Sequence, residues 1–149
     1  MLPPIGLRLA RTARVVSQAF ERAMAEAGGS ASVWQVLLLV RSQQWGTQSQ
    51  MADAMGITGA TLTHHLNAME AHGLVRRWRE TTNRRVQRVE LTDEGAALFD
   101  RLRDVALRYD ERLRSKLTDE ETAQLAELLD KLQAGLEPTQ AADGAQAPA

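Results

Sequence analysis

Arg76, Arg77, Arg79, Arg84, Arg85 and Arg88 fall between positions 76 and 88, with Glu80 as the one acid among them. A guanidinium stays charged at any biological pH and presents a fork of N–H donors that matches phosphate oxygens. The chain as a whole carries a formal net charge of -1, so these residues form a local cationic patch beside a net acidic C-terminal part. That distribution suits contact with a polyanion at one place. A second chemical set lies just upstream, where "TQSQ" and "ITGATLTHHLN" supply Gln48, Ser49, Thr58, Gly59, Ala60, Thr61, Thr63, His64 and Asn67. These side chains are small or polar, and they can bond base edges or phosphates. Thr58 and Gly59 open a predicted helix whose free N–H groups suit a phosphate, and Gln48 and Ser49 hold the same position on the helix before it.

Other chemistries find no residues. There is no cysteine, which excludes disulfides, thiolate metal sites and a cysteine nucleophile. No phosphate loop and no nucleophile–base pair is present. His65 and His72 share a helix face but stand about 10 Å apart along it, too far to hold one ion, and His64 and His65 point about 100° apart. Neither an enzyme nor a metal or other cofactor is expected. Trp34, Trp45 and Trp78 could line a small-molecule pocket, but core packing is their plainer role.

The elements that must position the arginines and the polar set follow from periodicity. Residues 5–27 read as a helix, with Leu9, Ala13, Val16, Phe20 and Met24 on one face and Gly28-Gly29 stopping it. "SVWQ" has capping-box spacing at Ser32 and Gln35, ahead of an almost wholly apolar and therefore buried helix that ends at Trp45-Gly46. Thr47 and Gln50 repeat the spacing before a short helix with Met51, Ala52 and Met55 inward and Gly56 as a left-handed cap. Thr58 then caps a helix ending at Gly73. Two short helices joined by a glycine-containing turn are the helix-turn-helix signature. On that last helix Leu62, Leu66 and Met69 face inward, which turns Ala60, His64 and Asn67 outward with Thr61, Thr63 and Ala68 on the flanks.

After Gly73 the period changes. "LVRRWRE" and "RVQRVEL" flank "TTN" and read as a hairpin with Asn83 near its tip. Thr92 caps a long helix with Asp93 and Glu94 at its positive end and Leu98, Leu102, Val105, Tyr109 and Leu113 on one face. Thr118 and Glu121 open a last helix with a stripe of Leu125, Leu128, Leu129, Leu132 and Leu136. The tail from 137 has no large apolar residue and is expected to be disordered. The sum is mainly α with a small β-hairpin wing: a winged helix-turn-helix lobe at 31–91, and a helical dimerisation region formed by 1–30 and 92–136.

The order and spacing of Gly73-Leu74-Val75, Arg76, Asn83-Arg84-Arg85 and Leu91-Thr92-Asp93-Glu94-Gly95 resembles the MarR family of bacterial transcription regulators, over roughly residues 5–136. The resemblance implies a homodimer that binds double-stranded DNA at a pseudo-palindromic operator. Helix 58–72 would enter the major groove and wing 75–91 would lie at the minor groove. It also implies a ligand-responsive repressor, whose effector in this family is often a small aromatic or anionic molecule. The family usually has aspartate where Asn83 stands, and often arginine where His64 stands. Of the six wing arginines, Arg84 and Arg85 at the tip are the expected DNA contacts, while some of the others pair with Glu80, Glu90 or residues of the dimer partner. A winged helix that binds protein without sequence-specific DNA binding is the alternative. The start "MLPPIGLRLA" is no signal peptide and "VLLLV" is too short to span a bilayer, so no membrane partner is expected and the cytoplasm is the default location.

Overall fold

The structure, a computed structural model, describes residues 1–42 and 47–138. Helix α1 spans Ile5–Glu26. Burial along it is confined to the C-terminal half: Met24 is buried and Val16 and Phe20 are half-buried, but Leu9 and Ala13, expected to face inward, are exposed. Helix α2 spans Ala31–Ser42 and begins earlier than the capping-box spacing at Ser32 and Gln35 suggested. The cap is Ser30, whose hydroxyl accepts from Val33 N at 3.1 Å. The carboxylate of Glu21, on α1, accepts the Ala31 N–H at 3.2 and 3.3 Å. A charge from the neighbouring helix thus satisfies the first orphan donor, and the local box is not used. Val36, Leu37 and Val40 of α2 are buried, whereas Leu38 is exposed, so the helix is not covered on every side. Its predicted stop at Trp45-Gly46 lies outside the described residues.

Helix α3 (Gln48–Met55) opens with the full Thr47/Gln50 capping box and closes at Gly56, where φ is 67°. Only glycine takes that left-handed turn without strain, and it lets the chain reverse into α4 within three residues. Helix α4 (Gly59–Ala71) starts at Thr58, whose hydroxyl accepts from Thr61 N at 3.1 Å. Met51 and Ala52 of α3 and Leu62, Leu66 and Met69 of α4 are buried in one core with Met24, the α2 residues, Val75, Leu98, Phe99 and Leu102. Trp34 is part of this packing, stacked on Phe99 at 5.4 Å between ring centroids.

Strands β1 (Val75–Arg79) and β2 (Gln87–Leu91) pair antiparallel, with Val75 opposite Leu91 and Trp78 opposite Arg88. Helix α5 runs Asp93–Arg114. Its junction with the wing is closed by Thr92. The Thr92 hydroxyl donates to Gly73 O at 2.5 Å and accepts from Gly95 N at 3.0 Å, while Thr92 N donates to Leu74 O at 3.1 Å. Gly95 is the residue this closure demands, because a Cβ there would lie 2.0 Å from the Leu74 carbonyl oxygen. Further along α5, Tyr109 reaches α1, its hydroxyl donating to Val16 O at 2.6 Å beside Phe20. Burial holds this phenol above its ordinary value of 10.0, partly opposed by the nearby Arg112 charge.

The contacts divide the chain into two units, Met1–Arg112 and the part from Leu113 on. The first holds the winged helix-turn-helix and its core. The second contains α6 (Asp119–Ala134), opened by a complete Thr118/Glu121 capping box. Leu125, Leu128, Leu132 and Leu136 are exposed and Leu129 is half-buried. Most of the tail expected to be disordered, from 139 on, lies outside the described residues. No single helix among the described residues is long and apolar enough to cross a membrane.

Candidate nucleic-acid interface

Burying Leu62, Leu66 and Met69 fixes the rotation of α4, and Ala60, Thr61, His64 and Asn67 are exposed as a result. Thr63 is half-buried, because its hydroxyl accepts from Gln48 Nε2 at 2.8 Å. That bond braces α3 on α4 and ties two predicted contact residues to each other. Thr58 and Thr61 share a hydroxyl–hydroxyl bond of 2.9 Å at the helix start, next to exposed Gly59. Ser49 is exposed in the first turn of α3.

Four of the wing arginines are engaged within the chain. Arg76 pairs with Glu90 at 2.6 Å and Arg88 with Glu80 at 2.5 Å. Arg79 donates to Arg84 O at 2.8 Å, which fixes the wing loop against β1. Arg77 is drawn inward, with its side chain 13% exposed, and bonds Glu70 at 3.3 Å and the amide oxygen of Asn67. The side chains of Arg84 and Arg85 are exposed and have no hydrogen bond or ion pair among the described residues. Asn83, where the resemblance leads one to expect an aspartate paired with Arg85, instead accepts from the Arg85 backbone N at 3.1 Å. This is an Asx-type turn that shapes the tip without using the Arg85 charge.

Among the described residues there is no group of three or more His, Asp or Glu that could hold a metal ion. His72 bonds its own helix through Nδ1 to Ala68 O at 2.6 Å. Trp78 is 45% exposed on the outer face of the wing, not a core residue. Trp45 lies outside the described residues.

The residue that spacing did not reveal is Arg77. In the sequence it is one of six equivalent cations. Its partners, Asn67 and Glu70, lie one turn apart on α4 and across the Gly73 reversal, a contact no periodicity encodes. Behind α4 lies a cleft of about 650 Å³, bounded by the α2 entry at Gly29, by His65 and His72 of α4, and by Glu94 and Arg101 of α5. It too was invisible in the sequence.

A model of the MarR family matches residues 30–86, which span the helix-turn-helix and most of the wing. That segment of the chain carries the MarR-family pattern. The chain's relatives are regulators. The chain is 28% identical over 128 residues to the HTH-type transcriptional regulator PecS of Dickeya dadantii (strain 3937), covering 84% of this chain and 77% of PecS. Among solved structures it is similar to the transcriptional repressor CouR bound to a 23-mer DNA duplex. The identity is 28% and the TM-score 0.78, over 87% of this chain and 92% of the other. CouR from Rhodococcus jostii RHA1 bound to p-coumaroyl-CoA is also similar, at 26% identity and a TM-score of 0.73, over 91% and 93% of the two chains.

Proposed function

We propose that the chain is a homodimeric, ligand-responsive repressor that binds a pseudo-palindromic operator in double-stranded DNA. Helix 58–72 lies in the major groove, through Thr58, Gly59, Ala60, Thr61, Thr63, His64 and Asn67. Gln48 and Ser49 approach the backbone, and Arg84 and Arg85 enter the adjacent minor groove. The observation that carries this reading is the division of labour in the wing: four arginines are held by partners, and the side chains of the two at the tip are exposed and make no hydrogen bond or ion pair among the described residues. Free guanidiniums beside a small, polar helix face suit a phosphate backbone and a groove. The DNA complex of CouR supports the same reading.

Dimerisation falls to 1–30 and 92–136, where α1 exposes Leu9 and Val15 and α6 exposes Leu125 and Leu128. Apolar surface of that kind on a charged chain calls for a partner. The effector is a small aromatic or anionic molecule, supported by p-coumaroyl-CoA in CouR and by the cleft beside Arg101. The cleft's α4 wall is the back of the recognition helix, so a ligand there would act directly on the reading head. The protein works in the cytoplasm, where its DNA is, and has no catalytic role.

The test is selection from a genomic DNA library by the purified full-length chain, followed by titration of the selected duplex at several salt concentrations. The expected result is a two-fold-related sequence whose affinity falls steeply with salt, as phosphate contacts release counterions. Selection of no sequence, together with capture of no duplex at low salt, overturns the reading in favour of a protein-interaction module.

A further inference from the structure

Asn67 stands on the exposed face of α4, one turn beyond His64. A free asparagine amide donates through Nδ2 and accepts through Oδ1, the pair of functions that reads adenine N7 and N6 together in a major groove. Here the accepting function is already in use. The Arg77 Nη2 bonds Asn67 Oδ1. A guanidinium carries donors only, so the amide atom facing it must be the oxygen. The orientation therefore follows from chemistry and not from telling nitrogen and oxygen apart.

Arg77 is itself held from several sides. Its Nη2 lies 3.3 Å from Glu70 Oε1, its Nε 3.5 Å from Glu70 Oε2, and its backbone N donates to Glu70 Oε2 at 3.2 Å. Ladder pairing with Val89 fixes its backbone, and its side chain is 13% exposed. Turning the Asn67 amide over would set its NH2 against a cation. The second lone pair of Oδ1 lies beside that same cation, where an incoming N–H meets its positive end with repulsion. The amide left facing outward is Nδ2–H, polarised by the charge behind it. Thr63 has the same bias: its oxygen accepts from Gln48, which leaves the hydroxyl hydrogen to offer.

We infer that Arg77 is a positioning residue that makes Asn67 a donor-only reader, so that Asn67 recognises a hydrogen-bond acceptor on DNA and rejects the bidentate adenine contact. This rests on the DNA-binding reading above. The acceptors within its chemistry are guanine N7 and O6, thymine O4, and a phosphate oxygen.

The experiment uses the selected operator and full-length wild type, Asn67→Asp and Arg77→Met, each first shown by thermal unfolding to be folded. Binding is measured on duplexes carrying single base changes, 7-deazaguanine at single guanines, or methylphosphonate at single phosphates. For wild type, removing one acceptor in each half-site should weaken binding about tenfold, in the range of a lost base contact. A base-edge acceptor appears in the 7-deaza and base series, a phosphate acceptor in the methylphosphonate series, and either supports the inference. Asn67→Asp keeps a partner for Arg77 but puts an oxygen where the NH2 stood. It should bind at least about tenfold more weakly and lose the sensitivity at that acceptor. Arg77→Met frees the amide and should flatten the profile at the same position while leaving the others in place. A merely structural Arg77 would lower affinity equally on every duplex, and that result overturns the inference. So does an Asn67→Asp chain that binds as tightly as wild type, or a wild type that requires both N6 and N7 of an adenine at the position Asn67 reads. If wild type selects no sequence, the DNA-binding reading falls and takes this one with it. If it selects one that Asn67→Asp binds equally, only this inference fails.

Discussion

Gly95→Ala tests the closure between wing and α5 most directly. A Cβ at this position would stand 2.0 Å from Leu74 O and 3.0 Å from Leu74 C, both backbone atoms. Real Cβ contacts do not fall below 3.0 Å, so α5 or the Gly73–Val75 segment must move by about an ångström. Three hydrogen bonds meet there: Thr92 N to Leu74 O, the Thr92 hydroxyl to Gly73 O, and Gly95 N to the Thr92 hydroxyl. Disturbing them costs about 1 kcal/mol each, and overpacking costs 1–3 kcal/mol in its own right, roughly. Against this, alanine in a helix gains up to about 1 kcal/mol over glycine. The net is a loss of about 3–5 kcal/mol. For a chain of this size, at about 2–4 °C per kcal/mol, that corresponds to a fall in Tm of roughly 6–20 °C. The assay is thermal unfolding by circular dichroism at fixed protein concentration, since association shifts Tm by mass action. Gly6→Ala, where a Cβ meets nothing within 4 Å, is the control and should be neutral or slightly stabilising. A Gly95→Ala chain whose Tm lies within about a degree of wild type would refute the argument, because the contact would then not be rigid.

Tyr109→Phe removes the hydroxyl that donates to Val16 O and should cost about 1 kcal/mol in urea unfolding at neutral pH. Burial raises this phenol above 10.0, so the folded state favours its neutral form. The contribution is complete below the unfolded value near 10 and is lost as pH rises through the raised folded value. Wild type should therefore lose stability relative to Tyr109→Phe above about pH 10, and parallel curves across that range would contradict the assignment. Arg85→Ala should weaken operator binding on all sequences alike and reduce the salt slope by about one, with no change in Tm; an unchanged slope would remove Arg85 from the interface. Leu128→Asp, at a position 53% exposed on α6, should shift sedimentation from dimer to monomer; a variant that stays dimeric would place the interface elsewhere.

Much of this molecule is written locally. The Thr47/Gln50 and Thr118/Glu121 boxes, the Thr58 and Thr92 caps, the Gly56 turn and the wing hairpin stand where short-range chemistry put them. Caps and turns satisfy their own backbone within three or four residues, so a reader of the sequence sees donor and acceptor together. The inward leucines of α4 are equally legible, since one helical period fixes both the buried and the outward face. Where a distant group competed, local reading gave way. Glu21 on α1 takes the first N–H of α2, so Ser30 replaces Ser32 as the cap. The same holds for the reading head. Residue types alone offer six equal arginines and an asparagine free to donate or accept. Folding back at Gly73 brings β1 against α4, holds Arg77 between Asn67 and Glu70, and leaves the Arg84 and Arg85 side chains exposed at the tip, without a partner among the described residues. Which charges are spent and which remain is a question of which atoms meet across that reversal, and only the tertiary structure decides it.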